Sequence, residues 1–143
     1  MAATSRADAT WNGDLMTGSG TVRPASGAFE ELPISWATRA ERPSGKTSPE
    51  ELIAAAHAGC YSMAFSNALA TAGHKVESLD TSAEVVFVPG TGITTITLSV
   101  RGRVAGIEDP EFQKLAAAAK EGCPVSKALH GNVDIRLEAR LES

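Results

Sequence analysis

The spacing of apolar residues predicts β-strands in the second half of the chain. Apolar and polar positions alternate in residues 93–104 and again in residues 132–142, which is the period of a half-buried strand. Residues 82–88 form another apolar run, and a Pro- and Gly-rich loop of four residues, 89–92, separates it from the first alternating segment. The pattern therefore predicts a β-hairpin and, later in the chain, a closing strand.

The beginning of the chain is predicted to be a small β-meander. Asn12-Gly13 is a strong signal for a two-residue turn, and further glycine-containing turn signals follow it. Residues 1–8 are expected to be frayed. Because Pro33 has no backbone N–H, we expect the last strand of the meander to lie near a sheet edge. The expected strands are residues 9–11, 21–23 and 32–37.

A different pattern predicts one long helix over residues 49–73. Ser48 is placed to cap its N-terminus, and Pro49 suits the first helical position. Glu51 lies three residues after the cap, and Gly73 suits the C-terminal end. The Ala-rich segment has almost no broad polar face, so we expect a rod of roughly 36 Å that is buried on most sides.

Two further helices are predicted before the closing strand. Asp109, Pro110 and Glu111 repeat the cap, proline and acid pattern, and that helix is expected to end at Gly122. A short helical segment is predicted over residues 125–129. The order of strands, long helix, hairpin, helix and strand indicates an α+β protein with a mainly antiparallel sheet, covered by helices on one side. Without repeats or linkers, residues 1–143 are expected to form a single domain.

Composition narrows the possible functions. The 143 residues carry a net charge of -4, which gives no basic surface for nucleic acid or an anionic membrane. The N-terminus has no apolar segment of a signal peptide, and no apolar stretch is long enough to span a bilayer. Two cysteines are too few for a disulfide framework. We therefore expect a cytoplasmic protein in which a disulfide would be transient and catalytic.

The two cysteines are the candidate chemistry. Cys60 lies in the middle of the long helix, and a buried structural cysteine is the alternative interpretation there. Cys123 precedes Pro124 as a potential N-cap, where free backbone N–H groups favour a thiolate. A thiolate at Cys60 would need a cation, for which the candidates are Arg39, Arg42 and Lys127. Spacing alone does not tell whether the two cysteines meet.

Two segments resemble a known family. Residues 47–64, TSPEELIAAAHAGCYSMA, look like the main signature of the OsmC/Ohr proteins, the osmotically inducible and organic hydroperoxide resistance proteins. Residues 122–126, GCPVS, look like its second signature. Residues 11–14, WNGD, and 38–39, TR, are similar to the OsmC branch rather than the Ohr branch.

The resemblance implies a mainly antiparallel sheet wrapped around a long buried central helix, in an intertwined homodimer with active sites at the interface. It implies a peroxiredoxin-like thiol peroxidase that reduces organic hydroperoxides and hydrogen peroxide in oxidative and osmotic stress. No cofactor or metal is implied. The reductant would be a dithiol, which in the Ohr branch is a lipoylated protein. No nucleic-acid or membrane partner is expected.

The family's site residues match four positions of this sequence. Cys60 would be the peroxidatic thiolate and Cys123 the resolving thiol. Arg39 would hold Cys60 as a thiolate, with Arg42 as the alternative cation, and Glu50 would orient the guanidinium.

The distance along the helix complicates the role of Glu50. Glu50 and Cys60 are ten residues apart, or about 15 Å along a regular helix. Either the first turn is irregular, or Glu50 serves the Cys60 of a second subunit. Ala-rich helix faces permit the close, two-fold packing that the second option needs.

Two other classes of function stay open. A metal-binding module would use His57, Cys60, Cys123 and one of His74 and His130, although no paired ligand spacing supports it. A redox-sensing or small-ligand-binding protein would keep the same fold and cysteines without efficient turnover.

Overall fold

The computed structural model describes residues 1–42 and 45–142. The chain divides into two compact units, Met1–Leu52 and Ile53–Ser143. The strands are β1 (Ala7–Asn12), β2 (Ser19–Pro24), β3 (Leu32–Ile34), β4 (Val76–Val88), β5 (Gly92–Val104) and β6 (Asp134–Glu142). The helices are α1 (Trp36–Ala40), α2 (Pro49–Thr71), α3 (Asp109–Gly122) and α4 (Pro124–Leu129).

The first unit holds an antiparallel sheet in the order β1-β2-β3. The predicted two-residue turn at Asn12-Gly13 is wrong, because residues 13–18 together connect β1 to β2. Asp14 organises this loop by accepting the backbone N–H of Thr17 at 2.8 Å and its hydroxyl at 2.7 Å. Residues 1–8 were expected to be frayed, but β1 begins at Ala7. The pairing of β1 with β2 extends to this residue, which lies opposite Pro24.

A short helix replaces the end of the third predicted strand. β3 stops at Ile34, and α1 follows. Ser35 and Thr38 form a reciprocal capping box, in which each side chain bonds the backbone of the other residue. Arg39 therefore lies in the last turn of a helix.

The second unit holds a mixed sheet in the order β4-β5-β6. β4 and β5 form the predicted antiparallel hairpin, although β4 begins earlier, at Val76. The closing strand β6 pairs with β5 in parallel, with Leu98 opposite Leu137. A parallel pair needs a long crossover connection, and α3 and α4 provide it here.

The ends of α2 confirm the predicted caps. The Ser48 hydroxyl oxygen accepts the backbone N–H of Glu51 at 3.0 Å, with Pro49 at the first helical position. Gly73 has a φ of 90°, and the N–H of His74 reaches the carbonyl of Leu69 at 2.9 Å. This is a Schellman ending, in which glycine accepts the left-handed conformation without strain.

One face of α2 is buried in this chain and the opposite face is exposed. His57, Tyr61, Phe65 and Leu69 recur at every fourth position and have no accessible surface. The exposed face has Ala55, Gly59, Met63 and Asn67 at the same spacing. The expectation that α2 is buried on most sides therefore holds for one side only.

The core of the second unit lies between this buried face, α3 and the sheet. Phe65 packs against Phe112 of α3, with ring centroids 5.1 Å apart. Leu98 and Val100 of β5 belong to the same buried cluster, so both helices cover one face of the sheet. α3 begins at Asp109 itself, with Glu108 as its N-cap, one residue earlier than predicted.

This architecture confirms the predicted fold class, α+β with mainly antiparallel sheets and a long central helix. Within the described ranges, no helix combines the length and apolar character that crossing a bilayer requires.

Candidate active site

The fold of the second unit brings the two cysteines into contact. Cys60 lies in the middle of α2, and Cys123 lies between α3 and α4. Their sulfur atoms are 3.1 Å apart although 63 residues separate them in the chain. Both are free thiols in this structure. The two sulfur atoms need to move only slightly closer to form a disulfide, in which they are about 2.05 Å apart.

The two thiols differ in how accessible they are. Cys123 is completely buried, whereas Cys60 is partly exposed. A solute that approaches the pair therefore meets Cys60 first.

The two thiols also differ in their pKa values. Burial raises the pKa of Cys60, and the neighbouring Cys123 raises it further. Burial also raises the pKa of Cys123, but its polar interactions with Ser126 and Cys60 outweigh burial and lower the pKa overall. The physical cause is the N-cap position of Cys123, where the first N–H groups of α4 have no helical partner. These surroundings favour the thiolate at Cys123, and a cation is needed to favour it at Cys60.

A buried histidine lies beside this pair. His57 has no accessible surface, and its Nε2 lies 2.7 Å from the hydroxyl oxygen of Ser126. Burial lowers the pKa of His57, so the ring is neutral at neutral pH. Sequence reasoning considered His57 only as a metal ligand and did not consider Ser126. The signal available in the sequence was spacing: His57 lies three residues before Cys60, and Ser126 lies three residues after Cys123.

The first unit contains an arginine–glutamate pair. Nε of Arg39, in the last turn of α1, lies 2.6 Å from Oε1 of Glu50, in the first turn of α2. The carboxylate of Glu50 is fully buried, whereas the Arg39 side chain is 34% exposed. Among the described residues, the second carboxylate oxygen of Glu50 has no hydrogen-bond partner.

The other two candidate cations are placed differently. Arg42 is exposed and donates from its Nε to the backbone carbonyl of Arg39 at 2.9 Å. Lys127 is exposed in α4. Of the two neighbouring arginines, the structure thus pairs Arg39 with the buried carboxylate. The relation of Glu50 to Cys60 stays a prediction.

The remaining two histidines lie outside this cluster of residues in the chain order and have different surroundings. His74 lies 3.0 Å from the carboxylate of Glu111, and His130 follows α4 as its C-cap. In the ranges 1–42 and 45–142, no group of three or more His, Cys, Asp and Glu side chains is arranged to hold a metal ion.

Comparison with known proteins gives the family. The family profile described as "OsmC-like protein" matches residues 42–138. Peroxiredoxin OsmC of Escherichia coli K12 is 42% identical over 141 residues, which cover 96% of each chain. The organic hydroperoxide resistance protein OhrA of Bacillus subtilis is 34% identical over 104 residues, covering 70% of this chain and 72% of that relative.

A solved structure supports the same relationship. The organic hydroperoxide resistance protein OsmC of Legionella pneumophila has 27% sequence identity and a TM-score of 0.70, over 97% of this chain and 99% of that one. The protein described here belongs to the OsmC-like family. The predicted resemblance is therefore confirmed.

Proposed function

We propose that the protein is a thiol-dependent peroxidase that reduces organic hydroperoxides, and also hydrogen peroxide, through Cys60 and Cys123. The observation that carries the proposal is the 3.1 Å contact of these two thiols in a chain of the OsmC-like family. The predicted class of function, a peroxiredoxin-like enzyme of stress defence, is confirmed by relatives named peroxiredoxin OsmC and organic hydroperoxide resistance protein.

The reaction begins at Cys60, the more accessible thiol. Its thiolate attacks the distal peroxide oxygen, the O–O bond breaks, and the alkoxide leaves and takes up a proton to become an alcohol. Cys60 is then a sulfenic acid. The contact with Cys123 supports the next step, in which sulfur–sulfur bond formation expels the hydroxyl group, which leaves as water.

The first step needs a cation at Cys60, because burial raises the pKa of this thiol. Arg39 is the proposed cation, since a guanidinium keeps its charge where a buried lysine would lose its proton. Glu50 is the proposed positioning group, and its 2.6 Å ion pair with Arg39 supports that role.

A dithiol reductant restores the two thiols. One of its thiolates attacks the Cys60–Cys123 disulfide, and its second thiol completes the exchange, so that two electrons pass to the protein. A lipoylated protein is the proposed reductant, and the proposed location is the cytoplasm.

The active form is proposed to be a homodimer with its sites at the subunit interface. Support comes from the exposed face of α2, where Met63 is 76% accessible and Ala55 and Gly59 are also exposed. A Cβ added at Gly59 would meet nothing within 4 Å in this chain. Small residues at such a face allow a second helix to approach closely.

Steady-state consumption of cumene hydroperoxide with dihydrolipoamide tests the function. We expect turnover in the wild-type protein and its loss in Cys60→Ser. Cys123→Ser should still consume one equivalent of hydroperoxide and accumulate the sulfenic acid. Full turnover by Cys60→Ser would contradict the assignment of the peroxidatic thiol.

The same experiment separates an enzyme from a redox sensor. A sensor would form the Cys60–Cys123 disulfide with hydroperoxide, but the dithiol would not support repeated cycles. A wild-type protein that stops after one equivalent would therefore favour the sensor.

A further inference from the structure

The disulfide of the proposed reaction would present its two sulfur atoms unequally to a reductant. Cys123 is fully buried and belongs to the apolar cluster in the core of the second unit, together with Phe65, Leu98 and Ala119. Cys60 packs against this cluster but stays partly exposed. A reducing thiolate therefore reaches Cys60 more easily than Cys123.

The direction of attack adds to this difference in access. A thiolate that attacks a disulfide forms a bond to one sulfur and expels the other, and the three sulfur atoms lie nearly in line during the exchange. The thiolate thus approaches the attacked sulfur from the side opposite its partner. Around Cys123 that side is filled by packed atoms of this chain, because the residue is fully buried.

A second subunit would not reverse the difference in access. The atoms that bury Cys123 belong to the same chain, so a partner can only add to this cover. Cys60, in contrast, has to stay accessible in the active assembly, because the hydroperoxide reacts there. The inequality of the two sulfur atoms is therefore a property of the single chain that an assembly keeps.

We propose that the reductant attacks the sulfur of Cys60 and that Cys123 is the leaving group, so that one accessible sulfur reacts first with the hydroperoxide and then with the reductant. The inference rests on the proposed function, because it assigns the reducing half of that reaction. The intermediate is a mixed disulfide between Cys60 and the reductant, with Cys123 released as a thiolate.

The pKa values of the two thiols support the same assignment. Burial raises the pKa of Cys60. At Cys123, polar interactions outweigh the effect of burial and lower the pKa overall. A thiol of lower pKa leaves faster in thiol–disulfide exchange, so Cys123 is the better leaving group of the two.

Electrons and protons balance over two exchanges with a dithiol. In the first, a reductant thiolate forms a bond to the sulfur of Cys60, the Cys60–Cys123 bond breaks, and the Cys123 thiolate takes up a proton. In the second, the other thiolate of the reductant attacks the reductant's own sulfur in the mixed disulfide and expels Cys60 as a thiolate. The reductant leaves as a cyclic disulfide, and two electrons have passed to the protein.

Mapping the first adduct tests the assignment. The protein is oxidised with diamide, which forms the disulfide without any peroxide, then mixed with excess 2-mercaptoethanol and quenched with acid at a series of early times. Early times are needed because Cys123, whose thiol lies 3.1 Å from that of Cys60 in the reduced protein, attacks the adduct again. Peptide mass spectrometry then measures how much 2-mercaptoethanol each cysteine carries.

Extrapolated to zero time, we expect at least about tenfold more adduct on Cys60 than on Cys123, because only Cys60 is accessible. The same oxidised protein in urea is the matched control, since unfolding exposes both sulfur atoms. There the two cysteines should carry adduct within about threefold of each other.

The outcomes separate this inference from the proposed function. Adduct that forms first on Cys123 in the folded protein, or equally on both cysteines, would overturn the assignment of the attacked sulfur and leave the peroxidase function standing. Adduct on Cys60 in a protein that consumes no hydroperoxide would refute the peroxidase function while supporting the assignment. If diamide forms no Cys60–Cys123 disulfide, both are wrong.

Discussion

Arg39 and Arg42 are equivalent candidates in the sequence, but they make different contacts in the folded chain. Both are arginines, three positions apart, and sequence reasoning left the choice between them open. In the folded first unit, only Arg39 of the two is seen to pair with Glu50, a carboxylate without accessible surface. A buried charge without its partner costs several kcal/mol, so this pair matters for stability as well as for the proposed chemistry.

Arg39→Met is expected to lower kcat/KM for cumene hydroperoxide by roughly 100-fold, the usual effect of removing an electrostatic group from an active site. It should also lower the free energy of unfolding by about 2 kcal/mol, less than for a fully buried pair because Arg39 is 34% exposed. Peroxidase kinetics and urea unfolding measure the two effects.

Arg42→Met is the control and should change kcat/KM by less than about twofold. The double variant Arg39→Met with Glu50→Gln should be less destabilised than the sum of the single variants, because it leaves no unpaired buried charge. An equal loss of activity in Arg39→Met and Arg42→Met would contradict the choice of Arg39.

At the scale of elements, close packing of α3 on the sheet limits which residues β5 can contain. A Cβ built on Gly102 of β5 would lie 2.7 Å from a ring carbon of Phe112 in α3. The Phe112 ring is fully buried and also packs against Phe65 of α2. The glycine therefore allows one aromatic ring to join a strand and two helices in the core.

Gly102→Ala is expected to lower the free energy of unfolding by about 2 kcal/mol, because the added methyl group overpacks a rigid aromatic contact. Gly122→Ala is the matched control: it lies at the end of α3, and a Cβ there meets nothing within 4 Å. It should be neutral or slightly stabilising. Urea unfolding of both variants is the measurement, and equal midpoints would show that Phe112 moves aside without cost.

At the scale of the whole molecule, packing within one chain does not explain why apolar residues of α2 are exposed. The exposed face consists mainly of small and apolar residues, and its largest side chain, Met63, is 76% accessible. An exposed apolar face that runs along a helix, as Ala55, Gly59 and Met63 do here, is a typical sign of an interface. This is why the second subunit proposed above is expected to cover it.

Met63→Glu is expected to weaken self-association at least tenfold, since it places a charge in the proposed apolar interface. Sedimentation analysis over a range of concentrations is the measurement. Ala118→Glu adds the same charge to an exposed position of α3 and should leave association unchanged. A variant Met63→Glu that associates as tightly as the wild type would place the interface elsewhere.

The sequence by itself determined the features that depend on neighbouring residues. Ser48, Pro49 and Gly73 mark both ends of α2, and Cys123 with Pro124 marks the start of α4, because capping depends on a few adjacent backbone groups. The family signatures are equally local, and they led to the right family. The short helix α1 was also encoded locally, in Ser35 and Thr38, but its signal was missed.

Only the tertiary structure decided the contacts between distant segments. The meeting of Cys60 with Cys123 and of His57 with Ser126, and the parallel pairing of β6, all join residues far apart in the chain. Periodicity shows that a residue faces a core, but not which residue from another element it meets there. Those pairings depend on how helices and sheet pack together, which local sequence patterns do not contain.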